Sequence, residues 1–466
     1  VTGMNSIWNT TALNVGFRDT GTLTIADGGM VSNTGRTIIG YQGLPGAYVG
    51  NGTVTVTGTG STMNVGTDLT LGFLSGGTGT LTIADSGEVT VAGTTTIARS
   101  AGSTGTVTVT GAGSKLTNSD TLNVGDSGTG KLLIENGGVV SNTKGIIGSQ
   151  LGSTGTVTVT GAGSTWTNSD PAGINNTLTL GDLGTGTLLI ENGGSVSNSS
   201  GVVGVEGTGT VTVTGFNSTM TNTAGLTVGQ FGTGTLTIAD GGKVSNVDGI
   251  IGGFLADADG KVTVTGTGST WTNKGNLTVS FGNSNTIDNG TGTLTIANGG
   301  IVDVAGNTTI ARSTGATGTV TVTGAGSKLT NSDTLNVGDS GTGTLLIENG
   351  GAVSNTKAFI GSKTGSTGTV TVTGAGSTWT NSDGINVGDL GTGTLLIENG
   401  GVVSSGSSAV GLDGTGTVTV TGMNSIWNTT ALNVGFRDTG TLTIADGGMV
   451  SNTGRTIIGY QGLPGA

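Results

Sequence analysis

The residues of this chain that could do chemistry are carboxylates, and they lack the usual partners. Asp and Glu number 27 against 15 Lys and Arg, and His and Cys are absent. Without His, the usual general base near neutral pH and the commonest metal ligand are both missing. Without Cys there is no thiolate, no disulfide and no Cys-type metal site. Asp257 and Asp259 form a pair in the loop GFLADADG, where no His, Lys or Arg is expected close enough in sequence to act as partner. Glu135, Glu191, Glu348 and Glu398 recur at one point of a repeat, whereas a catalytic site should break the repeat. The Gly-Asp turns at Asp126, Asp182, Asp339 and Asp389 supply one carboxylate each, and the nonapeptide calcium pattern GGxGxDxxx does not occur. Calcium takes six to eight oxygens, usually from several carboxylates. The expectation is therefore no enzyme, no catalytic or metal-binding residue and no cofactor, with at most loose calcium bridging between acidic filaments. A polysaccharide-active enzyme on the same scaffold is the remote alternative.

The other uneven distribution is aromatic. Phe17, Tyr41, Tyr48, Phe73, Phe231, Phe254, Phe281, Phe436 and Tyr460, nine of the eleven Phe and Tyr, fall in one recurring turn. That turn is also where length varies, as in residues 41–51, 73–78, 253–259 and 281–291. Loops on one edge of a repeat protein are the usual place for contacts. Two readings stay open for Phe17, Tyr41, Tyr48, Phe73, Phe231, Phe254 and Phe281. The rings shield the core by packing over a corner, or they make lateral filament contacts or stack on glycan. Outward Thr rows such as Thr106, Thr108 and Thr110 suggest the flat arrays of ice-binding solenoids, but Leu133 and Glu135 interrupt them, and β-propensity explains Thr on an exposed face.

The elements that position these residues come from a repeat. The string VTVTG, preceded by Gly-Thr or Gly-Lys, starts at Gly52, Gly105, Gly155, Gly209, Gly260, Gly318, Gly368 and Gly416. Partner pieces of the type TLTIADGG or TLLIENGG alternate with it, so the fundamental unit is about 25 residues. Residues 78–170 return almost unchanged at 291–383, an offset of 213. Residues 420–466 are identical to residues 1–47, a period of 419 that holds sixteen units. At about 4.8 Å per unit this period is roughly 77 Å of rise.

Within each unit, Thr106-Val107-Thr108-Val109-Thr110 alternates with period two, a strand with one buried face. A second segment carries one large apolar residue, at Trp8, Met63, Leu116, Trp166, Met220, Trp271, Leu329, Trp379 and Trp427, expected in the core, and ends in Asn. A third segment buries Val124 or Ile147. The recurring Asn (Asn33, Asn118, Asn142, Asn168, Asn198, Asn222, Asn246, Asn273, Asn331, Asn355, Asn381) is expected to take positive φ at a corner and bond to its stacked copy. Three short strands per unit without hairpin turns can satisfy their backbone only by stacking in parallel, unit on unit. The fold class is therefore all-β: a parallel β-solenoid, a right-handed β-helix of triangular section with about 18 turns, running as one continuous repeat region over residues 1–466. About four apolar side chains per turn, at roughly 1.5–3 kcal/mol each, hold the stack together.

Composition agrees. The chain has 98 Gly and 3 Pro in 466 residues, which is neither collagen nor a β-branch-poor disordered chain. A net charge of −12 makes nucleic acid a poor partner. No apolar run reaches the length of a membrane-spanning helix.

The motifs GTVTVTGAGSTWTNSD, LNVGDLGTGTLLIENGG and VSN resemble, at every pair of units, the repeats of type V secretion (autotransporter) passenger regions. They are similar too to the β-strand repeat of exported bacterial proteins that carry a PEP-CTERM sorting signal. The resemblance implies an extracellular or cell-surface bacterial protein, an adhesin or a biofilm-matrix component, exported through a C-terminal outer-membrane barrel. The expected function is a structural fibre that associates with itself end to end and laterally. The alternative is an adhesin-type rod that binds glycan or another cell. The natural object is expected to be longer than 466 residues.

Overall fold

The computed structural model describes residues 1–41, 49–170, 177–255, 258–282 and 290–460. Among them there is no helix, and strands of three kinds follow one another in a fixed order. A seven-residue strand such as Thr104–Thr110 comes first, then a four-residue strand such as Lys115–Asn118, then a short third strand such as Thr121–Val124. Within each unit described below, strands pair in parallel with the same kind of strand one turn on. Val107 lies beside Leu132, Leu116 beside Val140, and Val124 beside Ile147. The result is a parallel β-solenoid of about 17 turns of about 25 residues with three parallel sheets. Contacts group the chain into two compact units. One is Val1–Ala224 with Gly232–Thr235, the other Gly225–Phe231 with Leu236–Ala466. The same three-strand turn builds both.

Alternation dictates what goes inside. Val107, Val109, Leu116, Leu122 and Val124 are fully buried in one turn, and Leu132, Ile134, Val140 and Ile147 in the next. Glycine solves two local problems. Gly125 has φ of 71°, and a side chain there would collide with the Thr154 carbonyl of the following turn. Gly105 packs so tightly that a Cβ would lie 2.6 Å from Ile97 Cγ2. The long strand can thus start directly against the core only if it carries Gly at that point.

The recurring Asn departs in part from expectation. It does bond to its stacked copy, but it does not take positive φ. That conformation belongs to a different Asn, the one in the turn after the long strand (Asn136 at 53°, Asn192 at 52°, Asn349 at 53°). The Asn that ends the second strand is extended and buried, so its amide must find partners inside the protein. In the first unit Asn142 Nδ2 donates to Asn168 Oδ1 (2.5 Å), Asn168 to Asn198 (2.9 Å) and Asn198 to Asn222 (3.2 Å). In the second unit Asn246 donates to Asn273 (2.6 Å) and Asn355 to Asn381 (2.5 Å). Tryptophan joins the row. Trp166, Trp271 and Trp379 donate their indole N–H to Asn142, Asn246 and Asn355 of the preceding turn at 2.7, 2.6 and 2.8 Å. Where Leu at the head of the third strand is replaced by Thr, the hydroxyl serves the Asn instead, as Thr95 does with Asn118 and Thr308 with Asn331. The row stops at Asn273, which meets Val304 on the next turn and leaves its Nδ2 without a partner.

Trp427 takes the core position expected of it, and Trp8 lies in the first turn of the sequence, with a neighbouring turn on one side only. Trp8 is 41% exposed, whereas its sequence twin Trp427 is fully buried. Trp427 lies between Val403 and Val450, while Trp8 has Val31 on one side.

Candidate functional site

The corner after the third strand is built by one backbone device. A residue of positive φ, usually Gly, ends the strand, and the next residue's N–H bonds to the corresponding residue one turn back. Tyr41 N–H donates to the Gly16 carbonyl (2.9 Å), Phe73 to Gly40 (3.0 Å) and Arg99 to Gly72 (3.0 Å). Successive turns therefore place one side chain each in a row, spaced by the inter-strand distance of about 4.8 Å. That spacing suits stacked rings. In the first unit Phe17 and Tyr41 stack at 4.7 Å and 6°, and Tyr41 and Phe73 at 5.1 Å and 17°. Arg99 closes the row with its guanidinium 4.7 Å from the Phe73 ring, and Arg36 approaches the same ring at 5.0 Å. Arg18 covers Phe17 at 5.2 Å.

The second unit repeats the plan with looser rings. Phe231 and Phe254 tilt by 40° at 5.7 Å, and Phe254 meets Phe281 edge-on, at 62° and 4.8 Å. Arg312 lies 4.5 Å over Phe281. Phe436 and Tyr460 stack at 5.0 Å, with Arg437 over Phe436 and against Asp413 at 3.3 Å. The structure thus brings together Phe17, Tyr41 and Phe73, and separately Phe231, Phe254 and Phe281. Tyr48 lies outside the described residues. In the parallel stack the faces of Tyr41 are taken by its two neighbours, so the row turns ring edges outward. This geometry favours rings that shield the corner over rings that stack flat on a sugar.

The arginines of the row escaped the sequence reading. Their signal is the triplet Ala-Arg-Ser at 98–100 and 311–313, standing where other turns have Gly and a ring or Asp. Ala98 and Ala311 hold positive φ (60° and 58°), as does Ser280 (65°) just before Phe281. A Cβ in this region is strained by roughly 1–2 kcal/mol, so the turns that deliver Arg99, Phe281 and Arg312 are locally disfavoured.

One turn beyond each arginine stands an aspartate. Burial pushes the Asp126 carboxyl up, against the opposing pull of Arg99 and a hydrogen bond from Ser149. Asp389 is likewise raised by burial, with Asn386 and Lys357 pulling down and Asp413 pushing up. Asp339 is instead ion-paired, its Oδ2 2.8 Å from Lys363 Nζ. Ser149 stands between Asp126 and Asp182 in the row, and Ser362 between Asp339 and Asp389. Among the described residues no group of three or more His, Cys, Asp or Glu side chains is placed to hold a metal ion. The reading of Asp259 without a cation is corrected: Lys261, two residues on, pairs with it at 2.6 Å, and Thr291 donates to its other oxygen. The two lie on the same outward face of one strand. Asp257 lies outside the described residues.

The corner of the second unit also holds an open groove of about 490 Å³, lined by Phe254, Phe281, Arg312, Ser313, Asp339 and Lys363 among others.

No family model matches this chain, and no curated protein matches it. Among solved structures it is similar to the crystal structure of a TibC-catalyzed hyper-glycosylated TibA fragment. The identity is 14% and the TM-score 0.27, over 96% of this chain and 100% of that one. A score that low carries no inference about function.

Proposed function

We propose that this chain is part of an extracellular structural filament of a bacterial surface or matrix, built by stacking of its own turns. The observation that carries this reading is the pair of identical segments. Residues 420–460 form the strands that residues 1–41 form, Ile426–Thr429 matching Ile7–Thr10 and Met449–Asn452 matching Met30–Asn33. In the later copy, Trp427 is buried under Val403 and donates its indole N–H to Ser405 at 3.0 Å. The earlier copy presents the same surface around Trp8, and accepts a turn of the kind formed by residues 393–411. Such a turn can come from further sequence of the same chain or from a second copy. Lateral contact is supported by the apolar corner, where Phe17, Leu151 and Leu183 of the first unit and Leu255, Leu390 and Tyr460 of the second are exposed. Placement outside the cell is supported by the resemblance of the repeats to exported bacterial repeats.

Electron microscopy and fibre diffraction of the purified chain test this. Uniform filaments with a meridional spacing near 4.8 Å are expected. Discrete particles that do not elongate at high concentration would sink the reading. A second reading, an adhesin-type surface protein that binds glycan, has the groove at Phe281 and Arg312 in its favour.

A further inference from the structure

The groove of the second unit differs from the rest of the corner in ways that point to a ligand. The ring stack breaks there: Phe254 and Phe281 cross at 62°, where the first unit keeps its rings within 17°. The crossed rings form an apolar wall instead of a closed column. Positive charge gathers on a chain whose net charge is −12. Arg312 lies over Phe281, and Lys363 reaches across from two turns further on. Of the charged residues lining the groove, only Asp339 opposes them. Its carboxylate is largely covered, with 13% of the side chain exposed against 60% for Lys363. The backbone is strained at Ser280 and Ala311, the residues that deliver Phe281 and Arg312, and strain of this kind gathers at ligand sites. The groove volume of about 490 Å³ lies in the range of small-molecule sites.

The chain contains its own control. Residues 78–170 and 291–383 are copies at an offset of 213, so Arg99, Ser100 and Asp126 correspond to Arg312, Ser313 and Asp339. The position of Lys363 is held in the first unit by Gln150. The duplicated corner has thus acquired a second cation in one copy only.

We infer that the groove between Phe254, Phe281, Arg312 and Lys363 binds a carboxylate-bearing sugar of an acidic polysaccharide. The planar guanidinium of Arg312 presents a fork of donors that matches a carboxylate, and Lys363 adds an ammonium that Asp339 holds in place and that has further donors to spare. The crossed Phe rings give the C–H surface of the sugar an apolar wall. Ser313 in the lining supplies a hydroxyl for the sugar hydroxyls, while Asp339 holds Lys363 beside the groove. The selectivity is for the charged sugar: a neutral saccharide leaves Arg312 without a carboxylate, while Lys363 keeps its pairing with Asp339. This inference is independent of filament formation, because the groove lies within one unit.

The test is isothermal titration of the full chain with trigalacturonate, with maltotriose as the neutral probe and inorganic sulfate as competitor. One binding equivalent for trigalacturonate is expected, weakened at least tenfold by Lys363→Gln or Arg312→Gln, with circular dichroism unchanged. Gln150→Lys should create no second equivalent in the first unit, where the stacked rings give no crossed wall. Maltotriose should not bind, and sulfate at equal concentration should not displace the sugar. The inference is overturned if trigalacturonate fails to bind at millimolar concentration, if both single variants bind as the parent does, or if maltotriose binds equally. Full displacement by equimolar sulfate would reduce the groove to a general anion site and overturn the saccharide assignment. Filament formation by Lys363→Gln, followed by microscopy, separates this outcome from the filament reading: loss of sugar binding with filaments intact is the expected result.

Discussion

The smallest features that decide this fold are single polar side chains that have been taken out of water and must be partnered. Asn168 both accepts from Asn142 and donates to Asn198, so Asn168→Ala removes two bonds and strands two buried amide groups. A destabilisation of about 2–3 kcal/mol is expected. It should be read by hydrogen exchange, with protection lost in the turns that carry Asn142, Asn168 and Asn198 and retained several turns away. Asp126 gives the opposite sign. Its folded carboxyl titrates above the ordinary value of 3.8 because burial penalises the charged form. The folded state therefore holds its proton more tightly than the unfolded chain does. The associated stability is present below the unfolded value and is lost as pH rises through the folded one. Asp126→Asn should accordingly raise the melting temperature at pH 7, and the gain should vanish below about pH 3.8; a variant that melts lower at pH 7 would contradict this. The sequence made the buried row of Asn visible by its recurrence. It did not show the conformation, because Asn is equally at home in a positive-φ turn, and here the turn after the long strand had already claimed that role through Asn136 and its counterparts.

At the scale of the element, the strands were legible because period-two alternation of Thr and Val leaves one face apolar whatever the neighbour. Register followed as well, since Gly105, Gly130 and Gly155 must align for their strands to start against the core. The corner was legible only in part. Gathering of Phe and Tyr in one turn was plain, but that the rings would stack on one another depends on the inter-turn spacing. That Arg99 and Arg312 would cap them depends on which residue of Ala-Arg-Ser enters the row. Trp166 gives the sharpest test of how an element holds its neighbours. It fills the core against Val140 and Val196 and also satisfies Asn142. Trp166→Ala should lower stability by about 3–5 kcal/mol, whereas Trp166→Phe, which keeps most of the volume but loses the N–H, should fall well short of that. Denaturant titrations of the two variants distinguish lost packing from the lost hydrogen bond; equal losses would assign the whole effect to the hydrogen bond.

For the whole molecule, repetition makes stability local. Each turn contacts mainly the turns before and after it, so damage to one turn should not propagate far. The 419-residue period adds a requirement on assembly: any joint that reuses the Trp427 environment must bring a turn like 393–411 onto residues 1–41. If filaments of the proposed kind join copies in this way, added peptide of residues 393–411 should compete with the joint and give shorter filaments in microscopy. Growth indifferent to excess peptide would argue against that joint. The groove was beyond what composition could show, since an overall charge of −12 hides Arg312 over Phe281 and Lys363 paired with Asp339 beside it.

The asparagine row has an arrow. An indole N–H can only donate, so Trp166 fixes the oxygen of the Asn142 amide toward itself and leaves its NH₂ to serve Asn168. Every Asn-to-Asn bond named within the two units points from the earlier turn to the later one. Each row is thus closed at its head, where an indole takes the first oxygen, and open at its tail, where Asn222, Asn273 or Asn381 keeps an NH₂ without a partner. A row of this kind can therefore be lengthened only from its tail, and only by an oxygen acceptor on the next turn.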